Sequence, residues 1–307
     1  MLFANQSIHH RNDPSIGWWS ISEHAMTADF QQTIQQDVER ALAEDIGRGD
    51  VTAQLIPEAQ QAQATMITRE FMVVAGTAFV TETFRQLDDA IGIEWHVAEG
   101  DVVQPGTCLA SLRGQARGLL TGERTALNFL QMLSGIATKT HRLVLKLNGT
   151  RAGLFDTRKT VPGLRQAQKY AVSVGGGHNH RIGLFDQVLI KENHIAACGS
   201  LTQAIVAART LHPTLCVQVE VETFDEFHEA LAAEPDIIML DNFEVPQLIE
   251  AVGIRDRLKP TIELEASGGI TEANLAIVGS TGVDRISLGT LTKDIAAIDL
   301  SMRVELS

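Results

Sequence analysis

Apolar residues fall near helical spacing through FQQTIQQDVERALAEDIGRGDVT, from Phe30 onward, and Gly47 and Gly49 follow as a stop. That pattern predicts one amphipathic helix before a glycine turn. The next stretches, ATMITREFMVVAGTAFV and IEWHVAEGDVVQPGTCLASLRG, carry short β-branched runs broken by Glu-Gly-Asp and Pro-Gly turns, a strand-like rhythm. Together they read as a small α+β domain. GLLTGERTALNFLQMLSGIATKTHRLVLKLNG then predicts a long helix with Leu127, Leu130 and Leu133 among its apolar positions, ending near Asn148 and Gly149.

Beyond Arg151 the rhythm changes. Apolar runs AGLF, QVLI, CVQV, DIIML, TIEL and RISL recur, with helix-like segments such as LTQAIVAARTLH, TFDEFHEALAAE, EVPQLIEAVGIRDRL and TEANLAIVGS between several of them. Alternation of this kind indicates parallel βα units. Each run ends in polar or glycine chemistry: Asp156 to Lys159, Lys191, Glu220, Asp241, Ser267 and Gly289. In a parallel barrel all strand C-terminal ends share one face, where the active site sits, whereas an open doubly wound sheet would spread them along a crevice. Six such ends favour the barrel.

Composition narrows the class. A chain of 307 residues with 44% hydrophobic, 21% charged and 5% aromatic content has a globular composition and room for a barrel with a smaller companion or for two ordinary domains. Its 38 acidic against 25 basic residues argue against nucleic acid and anionic membranes as partners. Cys108, Cys198 and Cys216 show no C-x-x-C or Cys/His ligand spacing, so reduced thiols in a cytoplasmic setting are expected. Residues 1–29 lack a secretory signal pattern and read as an extension in which Trp18 and Trp19 dock locally; no later run approaches membrane-spanning length.

Against a net charge of −13, the stretch Asp156–Lys191 collects Arg158, Lys159, Arg165, Lys169, Arg181 and Lys191 around a triple glycine and the histidines His178 and His180. Clustered charge is commonly a solvated face. Here DTRKT and LIK put it directly after apolar strands, and convergent, partly buried cations call for an anion. His180, beside Arg181 and a flexible Gly-Gly-Gly, reads as a donor to that anion. Glu220 and Asp241 either neutralise Lys191 and Lys159 or bind sugar hydroxyls and Mg²⁺. Ser267, Gly268 and Gly269 of EASGGI, with Leu288, Gly289 and Thr290 of SLGT, form candidate phosphate loops. No G-x-G-x-x-G, Walker or His-Glu-x-x-His motif is present, so a bound nicotinamide coenzyme is not expected. Arg124, in a helix before the βα units, is not brought to the barrel mouth by sequence logic.

The motifs GERTALNFLQMLSGIAT, DTRKTVPGLRQAQKYAV, GGGHNHRIGLFDQVLIKENHI, VEVE, IMLDN, LEASGGI and GVDRISLGTLT together resemble the quinolinate phosphoribosyltransferases, or carboxylating nicotinate-nucleotide pyrophosphorylases. The resemblance spans roughly residues 34–292 in the family's order. It implies an incomplete seven-stranded α/β barrel (residues 127–289) and an α+β sandwich domain formed from residues 30–126 with 290–307. Six strand signals are clear; the seventh is not. The resemblance implies a homodimer in which Arg124 reaches the neighbouring site. It makes Arg158, His180, Arg181 and Lys191, with Thr157 and Lys159, the quinolinate-binding set. Glu220 and Asp241 match positions near ribose and metal, and Ser267, Gly268, Gly269 and Gly289 match phosphate loops. Glu220, Asp241, Lys159 and Lys191 are the candidate catalytic groups, with Mg²⁺ entering on phosphoribosyl pyrophosphate. A Schiff-base aldolase acting through Lys191 and a non-catalytic binding descendant of the fold are the rival readings.

Overall fold

The computed structural model describes residues 27–307, so Trp18 and Trp19 lie outside the described residues. Helix α1 (Ala28–Ile46) begins where the Thr27 hydroxyl accepts from Phe30 N at 3.2 Å, and it ends at Gly47, whose φ of 53° suits glycine. Its buried stripe is Phe30, Ile34, Val38 and Leu42. Strand β1 (Gln61–Thr68) buries alternate residues Ala62, Ala64, Met66 and Thr68, the period of a half-covered sheet. β2 (Met72–Val73), α2 (Thr77–Leu87), β3 (Gly92–Trp95), β4 (Val102–Val103) and β5 (Cys108–Gln115) follow. Thr77–Val80, which reads as strand, is helical. The Glu99 carboxylate takes the Gly76 and Thr77 amides at 2.6 and 3.0 Å, and this long-range cap overrides the local β preference.

Helix α3 (Ala116–Lys146) is the spine of the molecule. Ala116, Leu119, Ala126, Leu127 and Leu130 pack into the core of the antiparallel part, while Phe129, Leu133, Ile136, Ala137 and Leu143 pack into the core of the barrel. The second half then runs β6 (Gly153–Phe155), α4 (Arg165–Val174), β7 (Val188–Ile190), α5 (Glu192–Cys198), α6 (Leu201–Leu211), β8 (Val217–Val221), α7 (Phe224–Ala233) and β9 (Ile237–Asp241). It continues through α8 (Val245–Leu258), β10 (Glu263–Ser267), α9 (Leu275–Gly279), β11 (Arg285–Ser287), α10 (Thr290–Lys293) and β12 (Leu300–Leu306).

Besides the small antiparallel pair β2-β4, two larger sheets divide the labour. An antiparallel sheet in the order β12-β1-β5-β3 brings the C-terminal strand beside β1, with Met66 opposite Met302. A parallel sheet in the order β6-β11-β10-β9-β8-β7 wraps into the incomplete barrel. Its seventh strand shrinks to a bridge between Phe155 and His178: His178 N donates to Leu154 O at 2.8 Å and Asp156 N to His178 O at 3.0 Å. Because the six strands are parallel, their C-terminal ends form one rim.

Candidate active site

The barrel interior is polar. Gln218 Nε2 donates to Glu265 Oε2 at 3.0 Å, Arg285 Nε lies 3.1 Å from the same oxygen, and Arg285 Nη1 donates to Glu263 at 3.2 Å. The Arg285 guanidinium also lies over the Phe155 ring, 3.9 Å from its centre. His180 closes this layer: Nδ1 accepts the Arg181 amide at 2.9 Å and Nε2 stands 3.6 Å from Glu265 Oε1. Burial pushes the His180 pKa below that of free imidazole, and the nearby Glu265 works against that shift. His180 Nδ1 thereby sets the Arg181 backbone, while Nε2 is buried without a hydrogen-bond partner.

Above that floor lie the cations. Arg158 and Arg181 are close enough that, after burial, Arg158 is the next cause of the lowered Arg181 pKa. Arg158 Nε is buried without a hydrogen-bond partner. Among the described residues, Arg158, Lys159 and Arg181 have no carboxylate within ion-pair distance, whereas the other basic groups of the stretch are committed. Arg165 donates to Thr160 Oγ1 and Ile182 O at 3.0 Å each. Lys169, fully buried, is paired with Asp156 and donates to His180 O at 2.7 Å. Asp156 also accepts the His180 amide at 2.8 Å and Asn179 Nδ2 at 2.7 Å, and burial raises its pKa to about 6. Lys169 and Arg165 thus belong to the scaffold under the site. Lys191 is paired with Glu220.

The rim brings the expected loops together. A Cβ on Gly289 would stand 2.7 Å from Lys159 Cδ and 3.4 Å from Thr157 Oγ1, so the SLGT turn lies close against the DTRKT loop and a side chain at 289 would displace Lys159. Thr292 Oγ1 donates to Lys159 O at 2.8 Å, and Lys139 Nζ of α3 donates to Thr290 O at 2.6 Å and Asp294 O at 3.0 Å. Leu288 differs from expectation: its side chain is in the core and its amide donates to Phe155 O at 2.9 Å, so it offers a ligand neither. Ser267, Gly268 and Gly269, with φ of 81° and 62° at the glycines, line a cavity of about 180 Å³ shared with Asn242, Glu244 and Asn274.

One further expectation is corrected. The triple glycine is not a flexible cradle: a Cβ on Gly175 would overlap Ala137 O, and one on Gly177 would stand 2.8 Å from both Thr140 Cγ2 and Val172 Cγ1. Gly175 and Gly177 serve close packing against α3 and α4, and Gly176 between them takes a left-handed φ of 87°. Glu220 also groups with Glu192 and Glu222, whose carboxylate oxygens lie within 4.8 Å of its own. The hard oxygen donors of that trio suit Mg²⁺. Arg124 is exposed on α3, fifteen residues before Lys139, and a rise of about 1.5 Å per residue sets it roughly 22 Å from that end of the helix. It joins none of the rim groups of its own chain. Glu265, Arg285, Gln218 and Asp156 escaped the sequence reading as site-building groups. Charged residues at alternate positions of a buried strand, as in TIELEAS, are the signal that points to them.

Residues 136–303 match the C-terminal domain, and residues 50–134 the N-terminal domain, of quinolinate phosphoribosyl transferase. The chain belongs to the quinolinate phosphoribosyltransferase family. Curated relatives of this family include the probable nicotinate-nucleotide pyrophosphorylase [carboxylating] of Bacillus subtilis, 44% identical over 86% of this chain and 91% of that protein. The nicotinate-nucleotide pyrophosphorylase [carboxylating] of Mycobacterium leprae is also 44% identical, over 86% of this chain and 95% of its own length. The solved structure of the nicotinate-nucleotide pyrophosphorylase from Francisella tularensis superposes with a TM-score of 0.88 at 44% identity, covering 93% of this chain and 99% of that one. The family's two domains thus meet at residues 134 and 136, inside α3.

Proposed function

We propose that the protein transfers the phosphoribosyl group of phosphoribosyl pyrophosphate to quinolinate, releasing pyrophosphate and carbon dioxide and yielding nicotinate mononucleotide for NAD biosynthesis. The observation that carries this reading is the trio Arg158, Lys159 and Arg181, without carboxylate partners among the described residues, with Arg158 near Arg181 and Lys159 against the glycine turn at Gly289. A planar dianion offers the charge and the flat carboxylates that guanidinium forks match. Thr157, Gly289 and Thr290 on one side, and Ser267, Gly268 and Gly269 on the other, bind the phosphates of the second substrate. His180 sets the Arg181 backbone, and Lys191 with Glu220 borders the sugar.

Chemically, the pyridine nitrogen attacks the anomeric carbon as pyrophosphate leaves, and positive charge builds on the ribose ring. Glu220 and Asp241 are the carboxylates offered at this rim to stabilise that charge and to hold ribose hydroxyls. A Mg²⁺ arriving with phosphoribosyl pyrophosphate would be held by Glu220 with Glu192 and Glu222, and would neutralise the departing pyrophosphate. Once the ring nitrogen is cationic, the 2-carboxylate is lost as carbon dioxide and the ring carbon takes a proton. A Schiff-base role for Lys191 is disfavoured by its ion pair with Glu220. The working unit is a cytoplasmic homodimer in this reading, and Arg124, exposed and distant from its own rim, serves the partner's site.

The test is direct: purified protein is incubated with Mg²⁺, phosphoribosyl pyrophosphate and quinolinate labelled at the 2-carboxylate, and nucleotide and labelled carbon dioxide are measured. Stoichiometric release of both supports the reading; nucleotide formation from nicotinate without carbon dioxide, or no nucleotide at all, overturns it. Arg158→Ala is expected to weaken quinolinate binding by about 1.5–3 kcal/mol, the range for a hydrogen bond to a charged group, as read by calorimetry.

A further inference from the structure

Asn242 follows β9 at the rim with φ of 56°. Among the described residues the other non-glycine with positive φ is Glu234, which terminates α7 at φ 54°, a place where left-handed residues are routine. Asn242 ends no helix and is exposed, so neither helix termination nor core packing accounts for it. Three contacts constrain it. Its amide donates to Ser267 O at 2.9 Å, which draws the turn after β9 onto the turn after β10. Its side-chain Nδ2 donates to Asp241 Oδ2 at 2.8 Å. A Cβ on Gly268 would overlap Asn242 Oδ1 and stand 2.7 Å from Cγ and 2.9 Å from N, so glycine at 268 is the space this side chain occupies.

We propose that Asn242 is a positioning residue for phosphoribosyl transfer, orienting the Asp241 carboxylate and coupling it to the Gly268 turn that seats phosphate. The inference rests on the function proposed above, in which Asp241 serves the ribose. If the left-handed backbone were the whole requirement, glycine would meet it with no steric cost. Asparagine combines tolerance of that conformation with an amide that donates to one neighbour while its oxygen faces another. With Oδ2 held by Nδ2, Asp241 Oδ1 has no protein donor among the described residues and is the oxygen left for a ribose hydroxyl. The same side chain fills the space over Gly268, so the acid and the phosphate turn share one support.

The experiment compares Asn242→Gly, which keeps the backbone conformation and deletes the amide, with the intact protein. The variant is expected to melt no lower than the parent and to bind quinolinate unchanged by calorimetry. Its affinity for Mg²⁺-phosphoribosyl pyrophosphate and its kcat/KM for that substrate are expected to fall about tenfold or more, the usual loss when a supporting partner is removed. Asn242→Asp, with a like charge against Asp241, is expected to lose at least as much. In the Asp241→Asn background, Asn242→Gly should cost little further phosphoribosyl pyrophosphate affinity, because both changes act on one carboxylate. Parental affinity and turnover in Asn242→Gly, or additive losses in the double variant, overturn the proposal. A parent protein that binds phosphoribosyl pyrophosphate yet makes no nucleotide counts against the proposed reaction instead, while the affinity comparison still decides the role of Asn242.

Discussion

His180 shows how one buried ring sets the backbone of a neighbouring cation. With Nδ1 accepting the Arg181 amide, the neutral ring carries its proton on Nε2, facing Glu265. The folded ring resists protonation that the unfolded chain accepts near pH 6.5, so acidification through that value favours the unfolded state. Stability should therefore rise with pH through the window just below 6.5 and be lost as pH falls toward the folded pKa. Melting curves should show His180→Gln losing less stability than the parent between about pH 7 and pH 5.5. Gly268→Ala should cost more than Gly269→Ala in melting temperature: both force alanine into a left-handed backbone worth about 1–3 kcal/mol, and only the first also collides with Asn242. At this scale the residue types of the site were readable from DTRKT, LIK and EASGG, and their allegiances were not. Lys169 looks like a ligand cation in sequence, and only the buried Asp156 beside it makes it scaffold.

Among elements, periodicity did most of the work. The six strand signals became β6 to β11, because runs such as DIIML and TIEL are buried on both faces of a parallel sheet. α2 was misread because its start depends on Glu99, more than twenty residues away in sequence. The seventh strand left no pattern because a single bridge at His178 needs no apolar run. Links between elements were equally invisible. Gln168 of α4, fully buried, accepts Val161 N at 2.9 Å and donates to Thr292 O at 3.3 Å, and Lys139 of α3 holds the turn from Thr290 to Asp294. Lys139→Met should loosen that turn, raising KM for phosphoribosyl pyrophosphate several-fold while calorimetry finds quinolinate affinity unchanged.

For the molecule as a whole, a formal charge of −13 repels the two anionic substrates, and the cationic rim must overcome that field locally. Salt screens long-range repulsion and short-range attraction unequally, since the Debye length of about 10 Å at 0.1 M leaves the contact pairs less affected. In the proposed dimer, Arg124 serves the partner's site. Arg124→Ala mixed with Lys191→Ala should regain part of the activity through heterodimers carrying one intact site; no recovery after verified subunit exchange would place Arg124 outside catalysis. Overall architecture was more legible than any site detail, because a barrel rim gathers strand ends whatever the side chains beyond them do.

The two family domains abut within α3, whose successive turns belong to separate hydrophobic interiors. A chimera joined at the 134/136 boundary would splice two half-helices in mid-stripe, and either fragment made alone would present a greasy seam to water. Grafts that carry residues 116–146 intact from a single parent should be the ones that stay in solution.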